Sequence, residues 1–352
     1  MSEVVLRTEG LTKRYGSLTA VKDLTLEVYE GEVFGFLGPN GAGKTTSINM
    51  MCGLLKPDAG RVTIRGVTVT GGDADVRARV GVCPQEIVLW ERLTCLEQLQ
   101  FIGQMYGLTG QKARQRGEQL LEELDLVAKQ DSQARTLSGG LQRRLNLAMA
   151  LVHDPEIVVL DEPEAGLDPQ SRVKVREYIQ SLARAKTVIL TTHNMDEADR
   201  VADRVAIIDH GQLLVLDTPA ALKARVGEGD VVEIGLGGAL DEEAAGRVER
   251  ALAALRLGVA EDPQATANAT GQGLISQIFL DAERGVLTVR ARSAVAALPA
   301  ILDALETAGP ATGLWRAQPN RAGQALQPSE VRVRENTLED VFIKLTGRRL
   351  RE

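Results

Sequence analysis

The segment Gly38-Pro39-Asn40-Gly41-Ala42-Gly43-Lys44-Thr45 follows the spacing G-x-x-x-x-G-K-[ST] and constrains the fold more than any other part of the chain. Such a loop works only between a strand and a helix, and both flanks are present. Val33-Phe34-Gly35-Phe36-Leu37 is an apolar run leading into it, and Lys44 to Cys52 reads as the helix behind it. Glycines let backbone N–H groups curl around phosphate oxygens where a side chain would clash. The helix N-terminus adds partial positive charge. Lys44 is placed to reach β- and γ-phosphates and Thr45 to ligate Mg²⁺, with Thr46 next to it on the first turn. The loop implies a nucleoside triphosphate; by itself it distinguishes neither ATP from GTP nor the work done.

A second apolar run, Ile157-Val158-Val159-Leu160, ends in Asp161-Glu162. A carboxylate at the end of a buried strand beside a phosphate loop holds Mg²⁺, directly or through water. That role falls to Asp161, and Glu162 is placed to polarise an attacking water as general base. Thr187 to Leu190 and Val205 to Ile208 are further short apolar runs of the kind found in buried parallel strands. Residues 1–226 therefore read as an α/β domain, with a mostly helical insert at about 90–153. Gly227-Glu228-Gly229-Asp230 reads as a linker into a small α+β domain, 227–352. Its expected strands are Val231 to Leu236, Ile275 to Leu280 and Val286 to Arg290. Its expected helices are Asp241 to Leu257 and Ser293 to Thr307, with a polar loop at Pro263 to Gly273.

Composition sets outer bounds. A chain of 352 residues suits two domains. With 44% hydrophobic and 25% charged residues it is not a disordered polymer. A net charge of −7 gives no support to nucleic-acid binding, and none is expected. Cys52, Cys83 and Cys95 are too few and too scattered for a disulfide framework or zinc site. No run of 18 or more apolar residues occurs, so the chain is not expected to span a bilayer.

A third motif, Leu137-Ser138-Gly139-Gly140, follows the other two in order, and with it the chain resembles the ATP-binding-cassette ATPases. The resemblance implies a P-loop cassette fold, ATP with Mg²⁺, and a set of roles. Tyr15, in Lys13-Arg14-Tyr15-Gly16, matches the aromatic that stacks on adenine. Gln85, in Val82-Cys83-Pro84-Gln85, matches the glutamine that touches Mg²⁺ and the γ-phosphate site. Ser138, Gly139 and Gly140 form the signature loop, Asp168 in Gly166-Leu167-Asp168 the D-loop, and His193 after Thr191-Thr192 the γ-phosphate switch. His153 and His210 stand in no such pattern and are read as ordinary residues. Two departures stand out. Leu141 precedes Gln142 where Gln usually follows Gly-Gly directly. Glu164 follows Asp-Glu-Pro where an uncharged residue is common; it either weakens dimer closure or finds a basic partner.

Glu91-Arg92-Leu93-Thr94, Met105-Tyr106-Gly107-Leu108 and the tail Thr337-Leu338-Glu339-Asp340-Val341-Phe342 narrow the resemblance to daunorubicin-resistance-type, ABC-2 exporter ATPases. In that family two cassettes pair head to tail, each ATP lying between one chain's phosphate loop and the other's signature. A separate permease is the partner, which would place this chain at the cytoplasmic face of the membrane. The alternatives are a non-transport cassette ATPase and a nucleotide-dependent regulator. Intact Glu162 and His193 speak against the latter.

Trp90, Phe101 and Tyr106 are expected either to line a permease groove or to fill the core of the insert. Leu338, Val341, Phe342 and Leu345 share one helical face after the cap Thr337. That face is expected to bury against its own domain's sheet or a partner subunit.

Overall fold

The computed structural model describes residues 3–69, 74–183, 185–226, 229–253, 255, 275–308 and 330–347. The polar loop read at 263–273 lies outside them, as does the first half of the 227–230 linker. The chain divides into two compact units, one from Met1–Leu222 and Thr337–Glu352, the other from Lys223–Asn336.

The first unit is built on a six-stranded sheet. Its order is Gln212–Asp217, Arg204–Asp209, Val33–Leu37, Thr187–Thr192, Ile157–Asp161, Val80–Cys83. Only the Gln212–Asp217 edge is antiparallel. A parallel sheet is covered on both faces, which demands unbroken apolar strands. Every residue of Val33–Leu37, Ile157–Asp161 and Thr187–Thr192 is buried accordingly. A second, antiparallel sheet runs Leu18–Tyr29, Val4–Tyr15, Ala59–Ile64, Val67–Thr68. Phe34, Phe36, Ile48, Met51, Leu24 and Ile64 belong to one core that joins the two sheets to the helix Lys44–Met51. This core fixes where the phosphate loop begins.

Helices Cys95–Met105, Gly110–Glu123 and Gly139–Leu151 make up the insert. The first starts with a reciprocal capping box between Thr94 and Glu97, which satisfies two otherwise orphaned N–H groups. The three cysteines are buried and free, and burial pushes Cys83 and Cys95 up to about 11.

The second unit carries an antiparallel sheet in the order Ile275–Asp281, Val286–Ala291, Asp230–Gly235, Glu330–Arg334. With helices Glu242–Ala253 and Ala294–Ala308 the order among the described residues is β-α-β-β-α-β, a split β-α-β arrangement. Val232, Ile234, Leu252, Leu287, Val289 and Ile301 form its core.

The helix Leu338–Thr346 starts with a capping box between Thr337 and Asp340 and stops at Gly347, which takes φ of 72°. Leu338, Val341 and Phe342 are buried, while Leu345 is 47% exposed. The face expected to cover its own domain's sheet or a partner subunit instead packs within the first unit, against the helix Met195–Val201.

Candidate functional site

Where Val33–Leu37 ends, the backbone leaves no room for a side chain. A Cβ at Gly38 would lie 2.4 Å from the Ile208 carbonyl, so only glycine allows the loop to start there. Gly43 takes φ of 98° and caps the helix Lys44–Met51 with no side-chain hydrogen bond, leaving the first helical N–H groups for an anion. Above them opens a cleft of about 480 Å³ lined by Tyr15, Pro39, Asn40, Gly41, Gly43, Lys44, Thr45, Thr46, Gln85, Asp161 and Glu162. Of the loop, Gly38 and Ala42 are buried beneath it.

The buried charges at the cleft floor are interlocked. Lys44 Nζ donates to the carbonyls of Gly38 at 2.7 Å and Pro39 at 3.3 Å, and lies 3.7 Å from Glu162 Oε1. Burial pulls the Lys44 ammonium below its usual range, and the carboxylates of Glu162 and Asp161 act in the opposite direction. Thr45 Oγ1 donates to Asp161 Oδ2 at 3.2 Å. Asp161 accepts a second hydroxyl, that of Thr191, so one carboxylate is held between the phosphate loop and the next strand. Thr45, Asp161 and Gln85 all line this cleft and all carry side-chain oxygens, the ligand chemistry of Mg²⁺.

Glu162 is 4% exposed and takes φ of 49°, a left-handed conformation unusual for glutamate. Its N–H donates to both the carbonyl and the hydroxyl of Thr191, at 3.1 Å each. This sharp turn aims the carboxylate back toward the cleft, 2.8–2.9 Å from Nδ1 of His193. His193 does not line the cleft itself and reaches it through Glu162; its side chain is 45% exposed.

Ser138, Gly139 and Gly140 are also outside the cleft. Ser138 is the N-cap of the helix Gly139–Leu151 and makes no capping hydrogen bond with its side chain. Asp168 lies beside this helix start, capping Pro169–Leu182 through the N–H groups of Gln170 and Ser171. Its hydrogen bond from the Ser171 hydroxyl holds the carboxyl below the usual range.

Glu164 has found a basic partner. It is 3% exposed and accepts a two-pronged contact from Arg176, at 3.0 and 2.7 Å. Thr191, which bonds both acids, carries no signal in the sequence beyond its apolar strand. His210, read as ordinary, stands at the cleft wall.

A second cavity, about 320 Å³, lies on the insert side. Its walls include Pro84, Trp90, Tyr106, Met149 and His153. Trp90 meets Phe101 edge to face at 5.2 Å, and Tyr106 stacks on His153 at 3.8 Å. Trp90, Phe101 and Tyr106 are 40–45% exposed, so they do not fill a core; Trp90 and Tyr106 line the groove, and Phe101 stands against Trp90 outside the groove's lining. His153, also read as ordinary, forms part of its wall.

A family profile described as ABC transporter matches residues 21–165. The chain is 35% identical over 355 residues to the daunorubicin resistance ATP-binding protein DrrA3 of Streptomyces coeruleorubidus, covering 100% of this chain and 99% of that protein. It is 40% identical over 235 residues to the linearmycin resistance ATP-binding protein LnrL of Bacillus subtilis (strain 168), covering 66% of this chain and 76% of that one. Among solved structures it is similar to a dimeric ATP-binding cassette in a post-hydrolysis state with ADP and phosphate. The TM-score there is 0.56 at 27% identity, over 60% of this chain and 98% of that one.

Proposed function

The chain belongs to the ABC transporter family of ATP-binding subunits, and from that premise we propose that it hydrolyses ATP at the Lys44–Glu162 cleft to drive an exporter. It is an ATPase that works with a second copy of its cassette and with a separate membrane permease. The observation that carries the site assignment is the convergence of Lys44, Thr45, Asp161 and Glu162, with His193 behind Glu162, on one glycine-rich loop.

Lys44 exchanges the Gly38 and Pro39 carbonyls for phosphate oxygens when a triphosphate enters, and Gly41 to Thr46 surround those phosphates with N–H groups. Tyr15, 51% exposed at the cleft rim, gives the adenine a stacking face. Mg²⁺ arriving with ATP offsets phosphate charge, and Thr45, Asp161 and Gln85 are the residues that would hold it. Glu162 takes the proton of the attacking water, and the His193 Nδ1 contact fixes the orientation of its carboxylate.

Ser138, Gly139 and Gly140 do not line this cleft, which supports a second copy supplying them, with Asp168 at the junction. ATP is then part of the dimer interface. Hydrolysis removes those contacts and lets the cassettes part. The Trp90 groove takes a cytoplasmic helix of the permease, which holds the chain at the cytoplasmic face of the membrane. No helix among the described residues is long and apolar enough to cross one. We assign 1–226 to the cassette and 227–352 to the accessory domain, apart from the last helix, which belongs to the same compact unit as the cassette.

Glu162→Gln tests the assignment. It should keep ATP binding and lower turnover by about 10²-fold or more, leaving dimers closed around ATP. Turnover at the parent rate would remove Glu162 from the role of base.

A further inference from the structure

Arg143 lies one turn into the helix Gly139–Leu151 and is 3% exposed. Its Nε donates to the Pro163 carbonyl at 3.1 Å. One terminal nitrogen donates to Pro84 and Gln85, at 2.6 and 3.0 Å, and the other to Asp161 and Glu162, at 2.7 and 2.8 Å. A guanidinium has five N–H groups in a fixed planar fork. All five are used here, each on a backbone carbonyl.

Those carbonyls come from two segments distant in sequence. Pro84-Gln85 follows the strand Val80–Cys83, and Asp161-Glu162-Pro163 closes the strand Ile157–Asp161, its parallel neighbour. Past the last ladder bond, the two strand ends turn their carbonyls into a dry space where each would be costly unpaired. Pro84 is also a wall of the Trp90 groove, while Glu162 carries the strained turn.

We propose that Arg143 is a positioning residue that holds the Gln85 loop and the Glu162 turn together as one body. Catalysis then depends on a side chain that touches neither nucleotide nor water. The proposal rests on the reading of Glu162 as base only for its effect on rate; its structural half stands without it.

Full-length Arg143→Lys and Arg143→Gln test it, with Arg144→Gln, which removes a guanidinium bound to the Leu124 carbonyl on the same helix, as comparison. A lysine keeps the charge but not the fork. Turnover should fall at least tenfold in Arg143→Gln and by less in Arg143→Lys, with KM for ATP within twofold of the parent. Amide exchange should quicken at least tenfold at Gln85, Glu86, Asp161, Glu162 and Glu164 together, and stay unchanged at 38–45. Arg144→Gln should move none of these. A second variant keeps Arg143 itself: Pro84→Gly loosens one segment and should quicken exchange at 161–164 as well.

An unmoved 161–164 in Pro84→Gly, parent behaviour in Arg143→Lys, or a uniform rise that includes 38–45 would each overturn the proposal. Exchange requires neither hydrolysis nor a permease. Parent-like turnover in Glu162→Gln would therefore sink the base assignment alone.

Discussion

At the scale of single residues, the Glu164–Arg176 pair makes an asymmetric prediction. Glu164 is 3% exposed, whereas the Arg176 side chain is 20% exposed and can turn to water. Arg176→Ala strands a buried carboxylate, and Glu197 on the neighbouring helix, itself pushed up by burial, adds repulsion from nearby. The expected loss is about 3 kcal/mol in denaturant unfolding. Glu164→Thr leaves only a solvent-accessible cation and should cost about 1 kcal/mol or less. Equal losses would show that the pair acts by packing and not by charge. Lys44→Ala differs in kind from Glu162→Gln: it should weaken ATP binding itself, because the cation and its grip on the loop carbonyls go together. Equilibrium binding of a non-hydrolysable ATP analogue separates the two.

At the scale of elements, legibility followed periodicity. Strands buried on both faces declare themselves as unbroken apolar runs, so Val33–Leu37 and Ile157–Asp161 could be read directly, together with the loop and acids at their ends. The antiparallel sheet of Val4–Tyr15 and Leu18–Tyr29 could not. Bulges shift its register several times, and its burial pattern alternates strictly over no stretch longer than residues 24–29. The strand Glu330–Arg334 was equally silent, because its residues stay largely exposed. Arg143 was unreadable for another reason: its partners are carbonyls, which every residue has, and only the fold decides which ones converge. The groove sits between these cases, since the aromatics were visible but their exposure was not. Trp90→Ala should leave the ATPase of the isolated subunit within about twofold and abolish its response to the permease, as hot-spot aromatics carry much of an interface. An unchanged response in reconstituted membranes would place the permease elsewhere.

At the scale of the whole molecule, the last helix reverses an expectation and yields a sharper test. A helix with an unpartnered apolar face in the accessory domain would be a natural clamp for a second subunit. Here Leu338, Val341 and Phe342 are already buried within the first unit, against the helix Met195–Val201 that begins directly after His193 and its cap Asn194. A face engaged at home is not free to hold a partner. Removing Thr337–Glu352 should therefore leave the monomer–dimer balance without nucleotide unchanged in sedimentation. It should instead strip cover from Met195–Val201, so that amide exchange there quickens and the cassette melts earlier. Phe342→Ala should reproduce the local part of this. Truncating a buried phenylalanine costs about 3 kcal/mol, more than a helix of this length recovers from propensity, so the helix undocks while the sheet stays folded. Asp340→Ala and Thr337→Ala remove the capping box and should act in the same direction by about 1 kcal/mol each. A truncated chain that turned monomeric with unaltered exchange at 195–201 would mean that the helix leaves its own cassette to reach the partner, and the docked position would then be a resting state.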